Sequence, residues 1–360
     1  MSGDNGHAMP HAEWVRATAA AGLRAAAEAP AGEPPPAPHE ERRAGRRLAV
    51  HVVLYLVTIA STWLAGGGLF ALTLMTILTC HEAGHYLFAM RHRVPASLPY
   101  FIPFPLSPFG TMGAVIAMPA RIPHRRALLD IGAAGPIAGF AIALPALMLG
   151  MRWSHVGGAP AVTGELVFGD NLVVKLIGAW LGPANPRNDV LVLHPVGFAG
   201  YVGSLVTAFN LIPVGQLDGG HVLQALVGRR PVPRLLAWGA ALRGTLEGEP
   251  PIAEPFSARA LGRLLRRQAG LRLARLLTFA GSSVPRCLGV GIVGLLVVMG
   301  TVSAWKGWLV WAGLLVLIGV DHPPTTEEAQ PLDRRRALVA LVCAIVLVLT
   351  FVPVPVQPLR

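Results

Sequence analysis

Residues 69–90 read Leu-Phe-Ala-Leu-Thr-Leu-Met-Thr-Ile-Leu-Thr-Cys-His-Glu-Ala-Gly-His-Tyr-Leu-Phe-Ala-Met, and this stretch decides the fold. At about 1.5 Å per residue a helix of this length covers a hydrocarbon core of about 30 Å. Glu82, between His81 and His85, is its one acidic residue. A carboxylate inside an apolar span costs several kcal/mol unless it is used and partnered. The span ends at Arg91-His92-Arg93. Upstream, across Gly66, Gly67 and Gly68, lies another apolar run from Leu48 to Ala65, preceded by Arg42, Arg43, Arg46 and Arg47. Two apolar runs joined by a glycine turn, with arginines at both outer ends, predict two crossings whose outer ends share one side of a membrane.

The rest of the chain repeats this pattern. Hydrophobic residues make up 53% of the 360 and charged residues 14%, where a soluble domain carries about 25% charged. That excludes an ordinary soluble enzyme and a chain disordered throughout. Further apolar runs occupy Ala127–Met151, Pro195–Ile212, Cys287–Ala304, Trp308–Val320 and Ala337–Val352. The expected fold class is an all-α polytopic membrane protein of about 6–7 transmembrane helices, with a short re-entrant or hairpin β element after the second span. That element is residues 94–120, where Pro95, Pro99, Pro103, Pro105, Pro108 and Pro119 forbid a continuous helix.

The net charge of +11 suggests nucleic acid until its placement is considered. Arginines cluster at 42–47, 91–93, 121–126, 229–286 and 334–336, between apolar runs. With seven spans all of these fall on one face, which the positive-inside rule puts in the cytoplasm together with the N-terminus. Loops 152–194 and 305–307 then lie outside. No nucleic-acid partner is expected; the expected location is a multi-pass integral membrane protein of a bacterial inner membrane. Cys80, Cys287 and Cys343 are isolated, so neither a disulfide framework nor a cysteine zinc site is expected.

Four regions follow. Residues 1–47, rich in Ala, Pro and Glu, are expected to be a disordered cytoplasmic tail. Residues 48–228 form the membrane core, 229–286 a basic cytoplasmic insert, and 287–360 the C-terminal transmembrane helices. Within the insert, leucines and arginines alternate over 257–279. This reads as an amphipathic helix, lying on anionic lipid head groups or packing on the protein's own loops.

His81-Glu82-Ala83-Gly84-His85 is H-E-x-x-H. On a helix the two histidines are one turn apart on one face, a spacing that suits two imidazoles on one tetrahedral Zn²⁺, with Glu82 in reach of the water it activates. A catalytic zinc needs a third protein ligand and an open position. The candidate is Asp218, the only carboxylate between Asp189 and Glu247, placed after a span broken at Pro213. Two inward-running spans bring His81, His85 and Asp218 to one depth. Read alone, Asp218 is also a helix N-cap candidate, and the histidines a buried structural pair.

HEAGH in a span, followed far downstream by Asn210, Pro213 and Leu217-Asp218-Gly219-Gly220, resembles the site-2 protease family of intramembrane zinc metalloproteases. Pro99-Tyr100-Phe101-Ile102-Pro103, Gly110-Thr111-Met112-Gly113-Ala114, Asp130 to Pro136 and His322-Pro323-Pro324 resemble the branch that includes the chloroplast yellow-green members. The resemblance covers residues 48–228 and 287–325. It implies His81, His85 and Asp218 as ligands of one Zn²⁺ per chain, Glu82 as catalytic base, and a membrane-spanning protein as substrate. It also implies Asn210 as a catalytic residue, a hydrogen-bond donor to the reacting carbonyl; by itself Asn210 reads equally as an amide bonding a neighbouring helix. The insert is longer than the family usually carries, and no PDZ or CBS module is visible. His221, beside the Asp218 turn, is expected near the site. The rival reading is a non-hydrolytic zinc-binding scaffold or transporter, since intramembrane His and Asp also mark ion pathways.

Overall fold

The computed structural model describes residues 38–119, 122–157, 166–184, 191–228, 284–303, 305–320, 322, 325 and 332–358. The insert, with its expected amphipathic helix, and residues 1–37 lie outside the described residues. The chain divides into two compact units, Met1–Val50 and His51–Arg360, and apart from the start of α1 the second holds everything below.

The first long helix, α1 (Pro38–Arg91), is two helices meeting at Gly67, whose φ of 78° breaks the helical path. Tyr55 Oη and Thr79 Oγ1 are 3.4 Å apart. Along one straight helix they would stand about 36 Å apart, so the chain folds back on itself at the glycines. The helix begins ten residues before Leu48, so the stretch from Pro38 corrects the expectation of a disordered tail up to residue 47.

The proline-rich stretch is the expected hairpin. Strands β1 (Tyr100–Pro103) and β2 (Thr111–Val115) pair antiparallel, Tyr100 opposite Val115 and Phe101 opposite Ala114. It is pinned to α1 by Ser61 Oγ donating to the Gly110 carbonyl at 2.6 Å and by His51 Nδ1, 3.0 Å from the Pro99 carbonyl. Gly110 has φ 74°, and a Cβ there would overlap the Ser61 carbonyl, so only glycine fits.

Helix α2 (Arg125–Arg152) is the central element. Outside it come β3 (His155–Val156), β4 (Leu166–Phe168), the short apolar helix α3 (Leu172–Leu181) and β5 (Leu191–Val192). Helix α4 (Pro195–Leu211) returns along α2, with Gly150 and Gly197 facing each other so closely that a Cβ on Gly150 would overlap the Gly197 backbone and one on Gly197 would stand 3.0 Å from Gly150 Cα. Helix α5 (Asp218–Val227) follows, then α6 (Val284–Val302), α7 (Gly307–Ile318), α8 (Arg334–Thr350) and β6 (Val356–Pro358). Strand β3 pairs with β5, and β4 with β6. The fold is therefore mostly helical with small two-stranded sheets. Among the described residues three helices are long and apolar enough to cross a membrane: Leu48–Arg91, Arg125–Arg152 and Pro285–Val302.

Three apolar clusters hold these elements together. One joins Ile131 and Leu129 of α2 to Val222 of α5 and Cys343 of α8. A second joins Leu74 and Leu78 to Leu147 and Tyr201. The third centres on Trp308 between α6 and α7. At one end of the bundle a charged tie crosses the first cluster. Asp130 accepts from Arg336 Nε at 2.9 Å and Nη2 at 2.5 Å, and its Oδ2 lies 2.9 Å from His92 Nε2.

Candidate metal centre

His81 and His85 lie one turn apart in the second half of α1, 3% and 7% exposed. Their Nε2 atoms are 3.1 Å apart. Asp218 Oδ2 lies 3.3 Å from each. The three side chains lie together in one place. His81, His85 and Asp218 are the one group of three metal-ligating side chains found among the described residues.

The local sequence explains how Asp218 arrives. Helix α4 stops at Leu211 before Pro213, and the chain makes a tight path through Gly215 at φ 53°. Leu217, not Asp218, takes the N-cap position of α5, with extended backbone and no side-chain cap bond. Asp218 is the first helical residue, so its carboxylate is free to turn toward the imidazoles. That removes the N-cap alternative. Arg125 closes the far end of α5 by donating to the Ala225 carbonyl, Nε at 2.9 Å and Nη2 at 2.6 Å. A cation on the last carbonyls complements the helix dipole there.

His85 Nδ1 is 2.8 Å from the Ile131 carbonyl, so that nitrogen carries the proton and donates, leaving Nε2 with its lone pair toward Asp218 and His81. Glu82 is 5% exposed and directly follows His81. Asn210, at the end of α4, has Nδ2 3.3 Å from His81 Nε2. The amide is thus at the centre rather than on a distant helix.

His221 lies one turn after Asp218 on α5, close to the site as expected. Its Nδ1 is 2.6 Å from His322 Nε2. The two rings line a cavity of about 140 Å³ with Gln216, Met118 and Ile122. Sequence reasoning missed Asp130, whose signal was plain: it is the one carboxylate in α2, a helix otherwise apolar between its arginine ends. It also missed α3, hidden in what read as a mixed loop.

Residues 69–238 match the family described as Peptidase family M50. Among curated proteins the chain is similar to two named "Probable zinc metalloprotease EGY1, chloroplastic". The one from Oryza sativa subsp. japonica is 36% identical over 163 residues, 43% of this chain and 27% of that protein. The Arabidopsis thaliana protein is 37% identical over 160 residues, 42% of this chain and 28% of that protein. A further relative, "Probable zinc metalloprotease EGY2, chloroplastic" from Oryza sativa subsp. indica, is 33% identical over 178 residues, 48% of this chain and 32% of that protein. The chain thus spans about three-tenths of the length of these relatives. No solved structure matches. The relatives are plant proteins named as chloroplastic, which runs against the expected bacterial inner membrane; the coarser reading of a multi-pass membrane protein is what remains. The HEAGH helix, the α2 platform and the Asp218 turn all fall inside the matched range, so the part of the chain that is similar to Peptidase family M50 is the part that carries the metal centre.

Proposed function

We propose that the chain is an intramembrane zinc metalloprotease hydrolysing a peptide bond in or near the transmembrane segment of a membrane-protein substrate. The observation that carries this is the triangle of His81 Nε2, His85 Nε2 and Asp218 Oδ2, with sides of 3.1 to 3.3 Å, both histidines buried and Asp218 half-buried. Tetrahedral zinc with ligand distances of about 2.0–2.1 Å needs neighbouring ligand atoms about 3.3–3.4 Å apart. Two imidazoles and one carboxylate would therefore hold one Zn²⁺ and leave a fourth position open. The relatives' names, which include zinc, support the same metal.

Bound Zn²⁺ supplies a Lewis acid, which lowers the pKa of water to about 7 and offsets negative charge on a carbonyl oxygen. Glu82 takes the proton of the water that attacks the peptide carbonyl. It holds that proton in a buried site and returns it to the amine nitrogen as the C–N bond breaks. Asn210 donates its amide N–H to the carbonyl oxygen as negative charge develops there. The substrate helix must unwind locally, because a helical carbonyl is already hydrogen-bonded.

Seven crossings fit this reading. The folded-back α1 supplies two, and α2, α4, α6, α7 and α8 one each, with α7 short and the bilayer thinned around it. The core is then 48–228 and the C-terminal helices 287–360. The basic 229–286 insert faces the cytoplasm, with its 257–279 helix on anionic lipid head groups.

Purified full-length protein is expected to hold about one Zn²⁺ per chain. His81→Ala, His85→Ala and Asp218→Ala should lose it, and Glu82→Gln should keep it. Glu82→Gln should leave a single-span substrate uncut in vesicles, a loss of about 10²–10⁴-fold in rate. Chelation of the wild type should do the same, reversed by added zinc. Equal cutting by Glu82→Gln would remove the catalytic reading in favour of the scaffold.

A further inference from the structure

Residues 131–136 of α2 sit between the two halves of the metal centre, and three separate contacts meet there. The Ile131 carbonyl receives the Nδ1–H of His85 at 2.8 Å. A Cβ at Gly135 would overlap Nε2, Cδ2 and Cε1 of the His85 ring, and these are its three nearest atoms. On the other side, a Cβ at Gly132 would stand 3.2 Å from the Asp218 carbonyl oxygen and 2.7 Å from His221 Cβ. The facing residue on α1 is also a glycine. A Cβ at Gly84 would lie 2.5 Å from the Ala134 carbonyl oxygen and 3.1 Å from Gly135 Cα. The two backbones therefore touch one residue before the ligand, with no side chain between them.

Pro136 adds the remaining part. It has no N–H, so the Gly132 carbonyl loses its helical donor, and the proline ring crowds that carbonyl. The turn is loosened where the Ile131 carbonyl must offer a second lone pair to an outside donor. A metal-ligating imidazole needs its other nitrogen fixed by such an acceptor, which sets both tautomer and ring orientation.

We propose that the Gly132–Pro136 turn of α2 is a positioning element for the metal centre. It seats the His85 ring flat on the Gly135 backbone, fixes its tautomer through the Ile131 carbonyl, and holds the Asp218 backbone against Gly132. One helical turn thereby sets the His85–Asp218 separation of 3.3 Å. The inference rests on the metal-centre reading above. Gly135 acts through the His85 ring it packs against.

The test compares four variants of the full-length protein in detergent: Gly135→Ala, Pro136→Ala, Gly200→Ala and His85→Ala. Gly200 is the packing control, because a Cβ there would meet Leu147 N at 2.5 Å and the Ala143 carbonyl at 2.8 Å, on the same α2 but away from any ligand. Zn²⁺ affinity is read by competition with a chelator, site geometry by the visible spectrum of added Co²⁺, and packing by the thermal midpoint of metal-free protein. Gly135→Ala should lose about 10–100-fold in Zn²⁺ affinity, the range typical of groups that orient a ligand, and change the Co²⁺ spectrum. Gly200→Ala should lower the metal-free midpoint while keeping wild-type affinity and spectrum. Pro136→Ala adds no atom against the ring, so it serves if Gly135→Ala does not fold; it should alter the Co²⁺ spectrum and weaken Zn²⁺ binding. Wild-type affinity and spectrum in Gly135→Ala, or in Pro136→Ala where that variant decides, overturns the proposal, as does equal metal loss in Gly200→Ala. If His85→Ala binds Zn²⁺ like the wild type, the metal-centre reading has failed and the proposal falls with it. If His85→Ala alone loses metal, the centre stands and only the positioning role is refuted.

Discussion

Arg336→Met should release α8 from α2. Arg336 makes two hydrogen bonds to Asp130, at 2.9 and 2.5 Å, and the side chains are 21% and 14% exposed. Removing the guanidinium leaves Asp130 mostly buried, with His92 Nε2 at 2.9 Å as its remaining partner. Breaking a fully buried pair costs about 3–5 kcal/mol. Partial exposure and the surviving histidine reduce that to about 2–3 kcal/mol. At 1.4 kcal/mol per tenfold, the opened population rises by about 30–150-fold. Cys343 is a built-in reporter, since it is 3% exposed and packs in the same cluster as Ile131. With Cys80 and Cys287 changed to alanine, the thiol-labelling rate of Cys343 measures how often α8 opens. The double variant Asp130→Leu/Arg336→Met removes both charges and should label more slowly than Arg336→Met alone. A change under about threefold in the single variant, or a double variant that labels faster than the single, would refute the reasoning.

Three further outcomes are expected. Labelling of single introduced cysteines from outside intact cells should reach 152–194 and not 229–286, and the reverse would overturn the seven-crossing topology. Asp333 caps α8 by accepting from Arg336 N at 2.9 Å, and that backbone N–H, with the guanidinium, holds its carboxyl below the ordinary value. Its stabilising effect is therefore present above pH of about 4, the unfolded carboxylate value, and is lost as the pH falls through the depressed one. The thermal midpoint of Asp333→Asn should lie below wild type at neutral pH and merge with it in acid, and a gap that persists in acid refutes this. Gly110→Val should cost several kcal/mol by forcing the hairpin off Ser61, read as protease nicking between β1 and β2; a hairpin as resistant as wild type would contradict the packing.

The HEAGH span was legible because two physical signals coincide there: an apolar run of membrane length, and one carboxylate flanked by histidines at helical spacing. Asp218 was legible as the lone carboxylate between Asp189 and Glu247, just past an apolar run broken at Pro213. The hairpin could be read from its prolines. What lay outside the reach of pattern was pairing over distance. Nothing local in Val356-Gln357-Pro358 announces a partner at 166–168. Helix α3 was lost because its ten residues are too few for a span and sit among loop-forming neighbours. Asp130 was quoted as part of a familiar string, yet its partner Arg336 lies 206 residues away, and sequence alone joins no such pair.

The pairing of β4 with β6 imposes a parity rule on the membrane. Two strands cannot exchange hydrogen bonds through a lipid core, so residues 166–168 and 356–358 must share one side. The number of crossings between them is then even. Strands β3 and β5 give the same condition for 156 and 191, and α3, about 15 Å long, cannot cross alone. On the proposed seven-crossing reading the even set is α4, α6, α7 and α8. Helices downstream of β4 can therefore be gained or lost only in pairs. The α6–α7 hairpin, which carries its own tryptophan-centred core, is the unit that could leave without turning α8 upside down.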